Sequence, residues 1–386
     1  MSKELLVKGP MQASNQIFVK QQVPIYSIYL ETCFNRLKKV SEELGTIDSK
    51  LMIITDSNVA GYHLQPLQDA LAESSMAIYS HTIPAGEENK NLDTVYRIYD
   101  DLIQNGFERN DWLIALGGGV VGDITGYVAA TYLRGIRFIQ VPTTLLAMVD
   151  SSIGGKTGVD YASYKNMVGA FYQPQAVYMN LSVLNTLPNR EYYSGYGEIV
   201  KHAWIRDMEY AKMLNEKKEK LATRDLEALE EVVYRSCQIK REVVEIDPTE
   251  KGDRALLNFG HTIGHAIERY MNFQLLHGEC VAIGMVGALH ISYKRGYLSK
   301  EELEEGKKLL KDFQLPSMLT SYPIAKYNKE EVLSILKHDK KMVSGSIRFI
   351  LVRQLGAAYI ERDVTDEEIL SALSYLREEK LNETCN

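Results

Sequence analysis

Histidines are concentrated in one short stretch of this chain, at a spacing that suits a metal ion. Three of the eight histidines, His261, His265 and His277, fall within seventeen residues. Residues four apart on a helix share a face, with Cβ atoms about 5–6 Å apart, and imidazole nitrogen is a common zinc ligand. Glu198, in a helix-like segment, is a candidate for the carboxylate of a catalytic site. The alternative is that the pair only packs against or caps a helix; the third histidine favours the metal site.

A glycine run, Gly117 to Asp123, follows an apolar strand and is expected to open a helix over Ile124 to Tyr132. Glycines let the backbone approach a pyrophosphate, whose charge is favoured at a helix N-terminus. The run matches G-x-G-x-x-G, but no acidic residue follows at the usual spacing of about twenty residues. Asp56, after an earlier strand, is the better candidate for the ribose hydroxyls. The alternative is a tight turn that needs only small residues.

The segment before Lys156 ends like a Walker A loop, but Ser151 stands near the place of its first glycine. A P-loop ATPase is therefore disfavoured. We still expect Lys156 to meet a phosphate, with Asp150 as a nearby carboxylate. Lys165 and Asn166 are candidates for two further donors.

Glu198 and Lys201 are three apart and share a helix face. Their small or apolar neighbours favour burial over the surface ion pair that such spacing usually gives. Arg254 and Asn258 would share a helical face with the first two histidines if that helix starts early. This would place a guanidinium, suited to a carboxylate or phosphate, beside the metal.

Composition narrows the class of protein. The 386 residues are 45% hydrophobic and 25% charged, which are ordinary globular values. A net charge of −7 argues against nucleic acid, which binds basic faces, so convergent lysines and arginines suggest a specific anionic ligand. Without a signal-length or membrane-length apolar run, and with four cysteines lacking paired spacing, we expect a soluble cytoplasmic protein without a membrane partner or disulfide framework.

Apolar runs and helical patterns alternate in the first half of the chain. This predicts a Rossmann-like α/β domain with a mostly parallel sheet over residues 1–185, its strands including 51–55, 112–116, 138–141 and 176–179. After Pro188 long segments with a 3.6-residue period predict a mainly α-helical domain over residues 186–386, with one hairpin near residues 348–360. The active site is expected in the cleft between the two domains.

Over nearly the whole chain these motifs resemble the sugar phosphate cyclase family. The motifs that carry the resemblance are Gly86-Glu87-x-x-Lys90, Gly117 to Asp123, Tyr132 to Gly135, Val141 to Thr144, Asp150 to Gly158, Lys165-Asn166, Gly197 to Lys201, Arg254 to His265, His277 to Glu279 and Asp339 to Lys341. The resemblance implies NAD, one divalent metal ion (zinc, with cobalt as the alternative), and a phosphorylated sugar acid as substrate. The implied reaction converts 3-deoxy-D-arabino-heptulosonate 7-phosphate to 3-dehydroquinate and phosphate in the shikimate pathway of aromatic amino acid biosynthesis. It proceeds by transient oxidation, phosphate elimination, re-reduction and aldol closure.

The resemblance also implies a role for each matching residue. Metal ligands would be Glu198, His261 and His277, so that His265 belongs beside the metal or in the phosphate pocket. Catalytic residues would be Asp150, Lys156, Lys201, Lys240, Arg254, Asn258 and His265. Phosphate would be held by Arg134, Lys156, Asn166, Asn258, His265, and Lys340 or Lys341. NAD would be bound by Asp56, Asn58, Glu87, Lys90, Gly118, Gly119, Val120, Asp123, Thr143, Thr144 and Lys165. Arg134 would reach the site of a neighbouring subunit, which implies a homodimer.

Four alternatives remain at this point. Sister cyclases, the 2-deoxy-scyllo-inosose and valiolone synthases, act on substrates without a carboxylate and would not need Arg254 and Asn258. An aminated analogue of the substrate would differ by one heteroatom. A metal-dependent polyol dehydrogenase would share the layout but have no use for the phosphate-binding lysines, and a non-catalytic NAD-binding regulator would have no use for the metal ligands.

Overall fold

The computed structural model describes residues 16–21, 23–72, 77–162, 164–247, 250, 252–322, 327–341 and 348–377, with the backbone alone for 16–25 and 339–341. The strands are β1 Gln16–Gln21, β2 Val23–Glu31, β3 Lys50–Asp56, β4 Ala77–Ile83, β5 Trp112–Gly117, β6 Arg137–Pro142, β7 Lys156–Tyr161, β8 Tyr164–Phe171, β9 Ala176–Asn180, β10 Phe349–Val352 and β11 Ala358–Glu361. The helices are α1 Leu37–Glu43, α2 Ser57–Val59, α3 Gln65–Leu71, α4 Leu92–Gln104, α5 Gly119–Thr131, α6 Asn189–Arg206, α7 Met208–Ala222, α8 Leu226–Ile246, α9 His261–Tyr270, α10 His277–Lys294, α11 Lys300–Asp312, α12 Lys329–Lys341 and α13 Asp366–Tyr375.

Seven strands form one sheet in the order β1-β2-β9-β6-β5-β3-β4. Each neighbouring pair is parallel except β1 and β2, which are antiparallel. The strand order reverses between β3 and β5, since β4 lies on the far side of β3. At such a switch point the connections leave the carboxyl ends in opposite directions and open a crevice where ligands bind. The crevice lies beside Asp56 and Gly117.

The central strands are apolar without alternation because both faces of the sheet are covered. In β3, Leu51 and Ile53 belong to the apolar core on one face, and Met52 and Ile54 to the core on the other. The four strands expected from the sequence are confirmed. The edge strand β4 was missed because its half-exposed sequence mixes Ser80, His81 and Thr82 with apolar residues.

The helical half is organised around α10, which is buried without interruption from Gly278 to Ser292. A helix that is apolar all round must lie inside its domain. Other helices pack around it, and the hairpin of β10 and β11 is confirmed. Capping boxes at Ser299 and Thr365, each with reciprocal side-chain and backbone hydrogen bonds, begin α11 and α13. Among the described residues, no helix combines the length and apolarity needed to span a membrane.

Candidate active site

Three helices bring the expected metal ligands to one point. Glu198 lies on α6, His261 and His265 on α9, and His277 is the first residue of α10. The helices approach closely because they meet at glycines. A Cβ at Gly197 would lie 2.5 Å from the Gly278 carbonyl oxygen, so a larger residue would separate α6 from the start of α10.

The four side chains form one cluster, in which Glu198 is fully buried, His261 and His277 are partly buried and His265 is exposed. Glu198 Oε1 lies 3.5 Å from His261 Nε2 and 3.6 Å from His277 Nε2. The His265 ring is centred 5.2 Å from that of His261 and 5.8 Å from that of His277. Ligand atoms of the three histidines lie within 4.8 Å of one another. The prediction that His261 and His265 share a helix face is therefore confirmed.

The pKa shifts of these groups favour the protonation states that bind a cation. Burial acts to raise the pKa of Glu198, but Lys201, followed by the nearby histidines, holds it well below its usual range. Desolvation by the surrounding side chains lowers the pKa of His265 to about 4 and, with Lys201, that of His261 well below its usual value. At neutral pH the cluster therefore presents a carboxylate and at least two neutral imidazoles, the forms that bind metal.

An ion fits between Glu198, His261 and His277. Ligand atoms at about 2.0–2.2 Å from a tetrahedral ion are about 3.3–3.6 Å apart, and both measured carboxylate–imidazole separations fall in this range. Glu198 Oε1 is buried and accepts no hydrogen bond from any residue that the structure describes. A buried charged oxygen without a donor is costly, and a bound cation would remove that cost.

Two lysines complete the charge balance of this cluster. Lys201 is buried beside Glu198 Oε2, which confirms that this pair is not a surface ion pair. Lys240, on α8, pairs with Asp150 Oδ1 and donates to the Asp150 carbonyl oxygen at 2.5 Å. Burial acts to raise the pKa of Asp150, but Lys240, with a smaller effect of Lys201, lowers it. Asp150 is thus an ionised acceptor held next to Glu198.

A second group of side chains is built around Glu250. Its carboxylate pairs with Lys156 and accepts a hydrogen bond from Asn258 Nδ2 at 2.6 Å. Arg254 is buried nearby and donates to the Gly154 carbonyl oxygen at 3.2 Å. Lys156 and Asn258, expected to hold phosphate, therefore converge on an anion supplied by the chain itself. Substrate would have to displace Glu250 from this position.

The helix of the histidines does not start early enough to place Arg254 and Asn258 on its face. Asp253–Asn258 is a separate 3₁₀ turn, and α9 begins only at His261. Gly260 separates the two helical segments, since its positive φ of 81° is not helical. A Cβ there would lie 2.7 Å from the Val281 carbonyl oxygen, so close packing on α10, as well as conformation, requires glycine.

A third network joins residues that the sequence assigned to different ligands. Lys90 Nζ donates to Asp123 Oδ2 at 2.7 Å and to Asn166 Oδ1 at 2.6 Å. Lys165 Nζ lies 2.9 Å from Glu268 Oε1 and 3.5 Å from Glu87 Oε1. Four residues assigned to NAD thus lie in ion-pair contacts near Asn166, which was assigned to phosphate.

The remaining NAD candidates border the switch-point crevice. Gly118 caps α5, and Gly119 and Val120 form its first turn, so the expected helix start at Ile124 is wrong. Small residues are needed at this helix start because close neighbours leave little room for a side chain: a Cβ at Gly118 would lie 3.1 Å from Thr144. The other candidates there are Thr143 after β6, and Asp56 and Asn58 after β3.

Asp56 already has a structural task in this crevice. Its Oδ1 accepts hydrogen bonds from the backbone N–H groups of Asn58 and Val59, at 2.8 and 3.0 Å. These two N-cap hydrogen bonds fix the orientation of the carboxylate, and Oδ2 takes no part in them.

Arg134 lies apart from the other phosphate candidates. It is exposed and has a positive φ of 66°, as does Leu133 before it at 50°. The described contacts do not link Arg134 to Lys156 or Asn258 within the same chain. The side chains of Lys340 and Lys341 lie outside the described part of the structure.

Three polar residues of the site were missed at the sequence level. The position of Glu250 could have indicated a site residue, because it lies only eight residues before Asn258, in the segment that leads into the histidine motif. His202 follows Lys201 directly, so the α6 pattern already placed it one turn from Glu198. Ser236 gave no signal, since a serine within an apolar helix stripe has many explanations.

Metal-free protein should lose stability as the pH falls from 7.5 to 5. Burial lowers the pKa of His202 to about 3 and that of His290 to about 4, whereas unfolded histidine titrates near pH 6.5. Below about 6.5 the unfolded chain therefore binds more protons than the folded one, and the stability present above that pH is lost. His277, whose pKa is raised by Glu198 against the effect of burial, opposes this in part. Thermal unfolding in a chelator measures the change.

Two substitutions serve as controls for this pH effect. His290→Gln, outside the metal cluster, should reduce the fall in Tm, whereas His338→Gln at an exposed position should not. An equal Tm at both pH values would contradict the prediction.

Comparison with known families tests the resemblance found in the sequence. The family models for the N-terminal and C-terminal parts of 3-dehydroquinate synthase match residues 80–194 and 195–342. The chain belongs to the 3-dehydroquinate synthase family. The resemblance to sugar phosphate cyclases is thereby confirmed, and so is the predicted fold class, an α/β part with a mostly parallel sheet followed by a mainly helical part.

Curated relatives cover most of the chain. The 3-dehydroquinate synthase of Acetivibrio thermocellus is 43% identical over 345 residues, covering 89% of this chain and 94% of the relative. That of Geotalea uraniireducens is 44% identical over 312 residues, covering 81% and 85%.

Solved structures with the same fold include two sister cyclases. A 2-epi-5-epi-valiolone synthase from Streptomyces hygroscopicus, solved with NAD+ and Zn2+, is 27% identical with a TM-score of 0.83, covering 96% of this chain and 99% of that one. A 2-deoxy-scyllo-inosose synthase, complexed with carbaglucose-6-phosphate, NAD+ and Co2+, is 25% identical with a TM-score of 0.80, covering 94% and 99%. A butanol dehydrogenase from Thermotoga maritima, 14% identical with a TM-score of 0.65 over 94% and 100%, shares the fold.

Proposed function

We propose that this site converts 3-deoxy-D-arabino-heptulosonate 7-phosphate to 3-dehydroquinate and phosphate, as an NAD- and metal-dependent carbon–oxygen lyase. The observation that carries the proposal is the pairing of the Glu198–His261–His277 cluster with a cationic group around Lys156, Asn258 and Arg254. One centre suits a divalent ion and the other suits an anionic substrate. The names of the curated relatives, and the NAD+ and metal ions in two structural neighbours, support it.

Glu198, His261 and His277 would hold the metal, zinc or alternatively cobalt. When bound, that ion supplies Lewis-acid stabilisation of charge on a coordinated oxygen. Lys201 neutralises the other oxygen of Glu198, which keeps this carboxylate ionised in a buried position. Asp150, ionised beside Lys240, would accept a hydrogen bond from a substrate hydroxyl and fix its orientation.

The anionic ends of the substrate would be held separately. Lys156 and Asn258 donate to the phosphate once Glu250 has moved aside, with Asn166 and His265 as further donors, and with Arg134, Lys340 or Lys341 completing the pocket. Arg254 binds the carboxylate with its planar guanidinium. Arg254 is buried and donates to the Gly154 carbonyl oxygen, which holds its guanidinium in one orientation.

NAD would occupy the switch-point crevice, where it accepts and returns a hydride when bound. The backbone N–H groups of Gly119 and Val120 point from the first turn of α5 and suit the pyrophosphate. Asp56 offers its Oδ2 to the ribose hydroxyls. Further contacts would come from Gly118, Asn58, Glu87, Lys90, Asp123, Thr143, Thr144 and Lys165.

Three further parts of the proposal concern organisation. The chain would divide into an NAD-binding domain, residues 1–185, and a metal- and substrate-binding domain, residues 186–386. It would form a homodimer in which Arg134, exposed on a left-handed turn, reaches the neighbouring site. It would work in the cytoplasm.

Phosphate release from this substrate with NAD and zinc, before and after chelation, tests the proposed reaction. We expect release that stops on chelation, returns with zinc, and leaves no lasting NADH absorbance because the hydride is returned. Phosphate release only from sedoheptulose 7-phosphate or glucose 6-phosphate would show that the proposed substrate is wrong and that the enzyme acts on the substrate of a sister cyclase. Lasting NADH without phosphate would indicate a dehydrogenase.

A further inference from the structure

His202 is a buried polar residue of the site, and the proposed mechanism assigns it neither to the metal nor to the substrate. It lies on α6, one turn after Glu198, and is fully buried. Its Nδ1 lies 2.6 Å from the hydroxyl oxygen of Ser236 on α8. Its Nε2 is also buried and has no hydrogen-bond partner among the described residues. Such unpartnered groups are rare in folded proteins and call for an explanation.

The surroundings of the ring identify what this nitrogen faces. A ring nitrogen of His202 lies within 4.8 Å of carboxylate oxygens of both Asp150 and Glu198. Because Nδ1 is engaged by Ser236, Nε2 is the nitrogen left for these carboxylates. Burial, followed by the charge of Lys201, lowers the pKa of His202 to about 3. The ring is therefore neutral and carries one proton, on one nitrogen only.

Two helices meet here in two successive layers of contacts. Glu198 and His202 are four apart on α6, and Ser236 and Lys240 are four apart on α8. His202 contacts Ser236 in one layer, and Lys240 contacts Asp150 in the next. Asp150 Oδ1 is committed to Lys240, which leaves Oδ2 as the oxygen that a second donor can orient.

We propose that His202 is a positioning residue of this reaction: Ser236 donates its hydroxyl proton to Nδ1, and Nε2–H donates to Asp150 in the working enzyme. With Lys240 on one oxygen and His202 on the other, Asp150 keeps one orientation toward the substrate hydroxyl. His202 touches neither substrate nor metal and acts through Asp150. This inference rests on the proposed function, in which Asp150 is the hydroxyl acceptor.

Two amide substitutions separate this role from simple packing. The amide of asparagine reaches about as far as Nδ1 and can keep the Ser236 contact. The longer glutamine reaches toward Nε2 and can keep the donor to Asp150. Loss of a supporting hydrogen bond at a metal site typically lowers activity about 10- to 100-fold. We expect His202→Asn to lose kcat by this factor and His202→Gln to retain it within about threefold, with KM little changed in both.

The test uses the full-length zinc- and NAD-loaded enzyme, with phosphate release as the assay. A zinc dissociation constant, from competition with a chelator, and a Tm accompany each variant, and both should stay near wild type because His202 does not bind the metal. A kcat for the glutamine variant at or below that of the asparagine variant would overturn the proposal. Weakened zinc binding in both variants would also overturn it and assign His202 to the metal.

A double-mutant cycle keeps the proposal testable if one variant folds poorly. In an Asp150→Asn background, His202→Asn should cost little further kcat, because the residue that it positions is already altered. Additive losses would contradict the coupling. If the wild-type enzyme itself releases no phosphate, the proposed function fails, and that result is distinguishable from any ranking of the variants.

Discussion

Replacing Glu198 with glutamine should abolish metal retention and lower kcat/KM by about a thousandfold or more, equivalent to about 4 kcal/mol. The amide keeps the shape of the side chain and can still accept from Lys201, but it removes the charge facing His261 and His277. A neutral oxygen is a weak ligand for a divalent ion, so the Lewis-acid contribution would be lost with the ion. Metal content after dialysis and the rate of phosphate release measure the two effects.

Glu191→Gln is the matched control for this substitution. Glu191 lies on the same helix, α6, but in its exposed first turn. It should retain wild-type metal content and activity. Undiminished zinc binding by the Glu198 variant would show that the three histidines hold the ion without the carboxylate.

Breaking the ion pair of Asp150 and Lys240 should destabilise the protein strongly. Lys240 is almost fully buried, and Lys240→Met would leave the Asp150 carboxylate without its ammonium partner. Removing one partner of a buried pair typically costs about 3–5 kcal/mol. Chemical unfolding of the metal-free protein would show a shift of this order toward lower denaturant concentration.

The double variant Asp150→Asn/Lys240→Met separates stability from catalysis. With no buried charge left unpaired, it should regain most of the lost stability and yet remain inactive, because the ionised acceptor is gone. Lys212→Met, which removes an exposed pair with Glu209, should leave the unfolding midpoint close to that of the wild type, because exposed ion pairs contribute little to stability. Recovery of activity in the double variant would show that the reaction does not require an ionised Asp150.

Much of the site could be predicted from local sequence because its geometry is local. Glu198 and Lys201, or His261 and His265, need only helical periodicity to share a face, and the structure places them so. The apolar strands before Asp56 and after Asp111 similarly needed only their own composition. Family motifs then supplied which chemistry such residues perform.

Features that depend on contacts between distant segments could not be predicted from local sequence patterns. The break at Gly260 depends on how closely α9 must pack on α10, and the start of α5 at Gly119 depends on Thr144 and Ser151 across the crevice. The edge strand β4 depends on its neighbour β3, because its own residues alternate too weakly.

Motifs were enough to predict the family, the reaction that it implies and the residue types of the metal and phosphate sites. Long-range packing was needed to show that Glu250 lies between Lys156 and Asn258, and that His202, near Asp150, has a ring nitrogen without a hydrogen-bond partner among the described residues. The reason is physical: burial and the pairing of charges depend on which helices meet. Those encounters join residues up to about a hundred positions apart, as between Lys156 and Glu250, where no periodicity connects them.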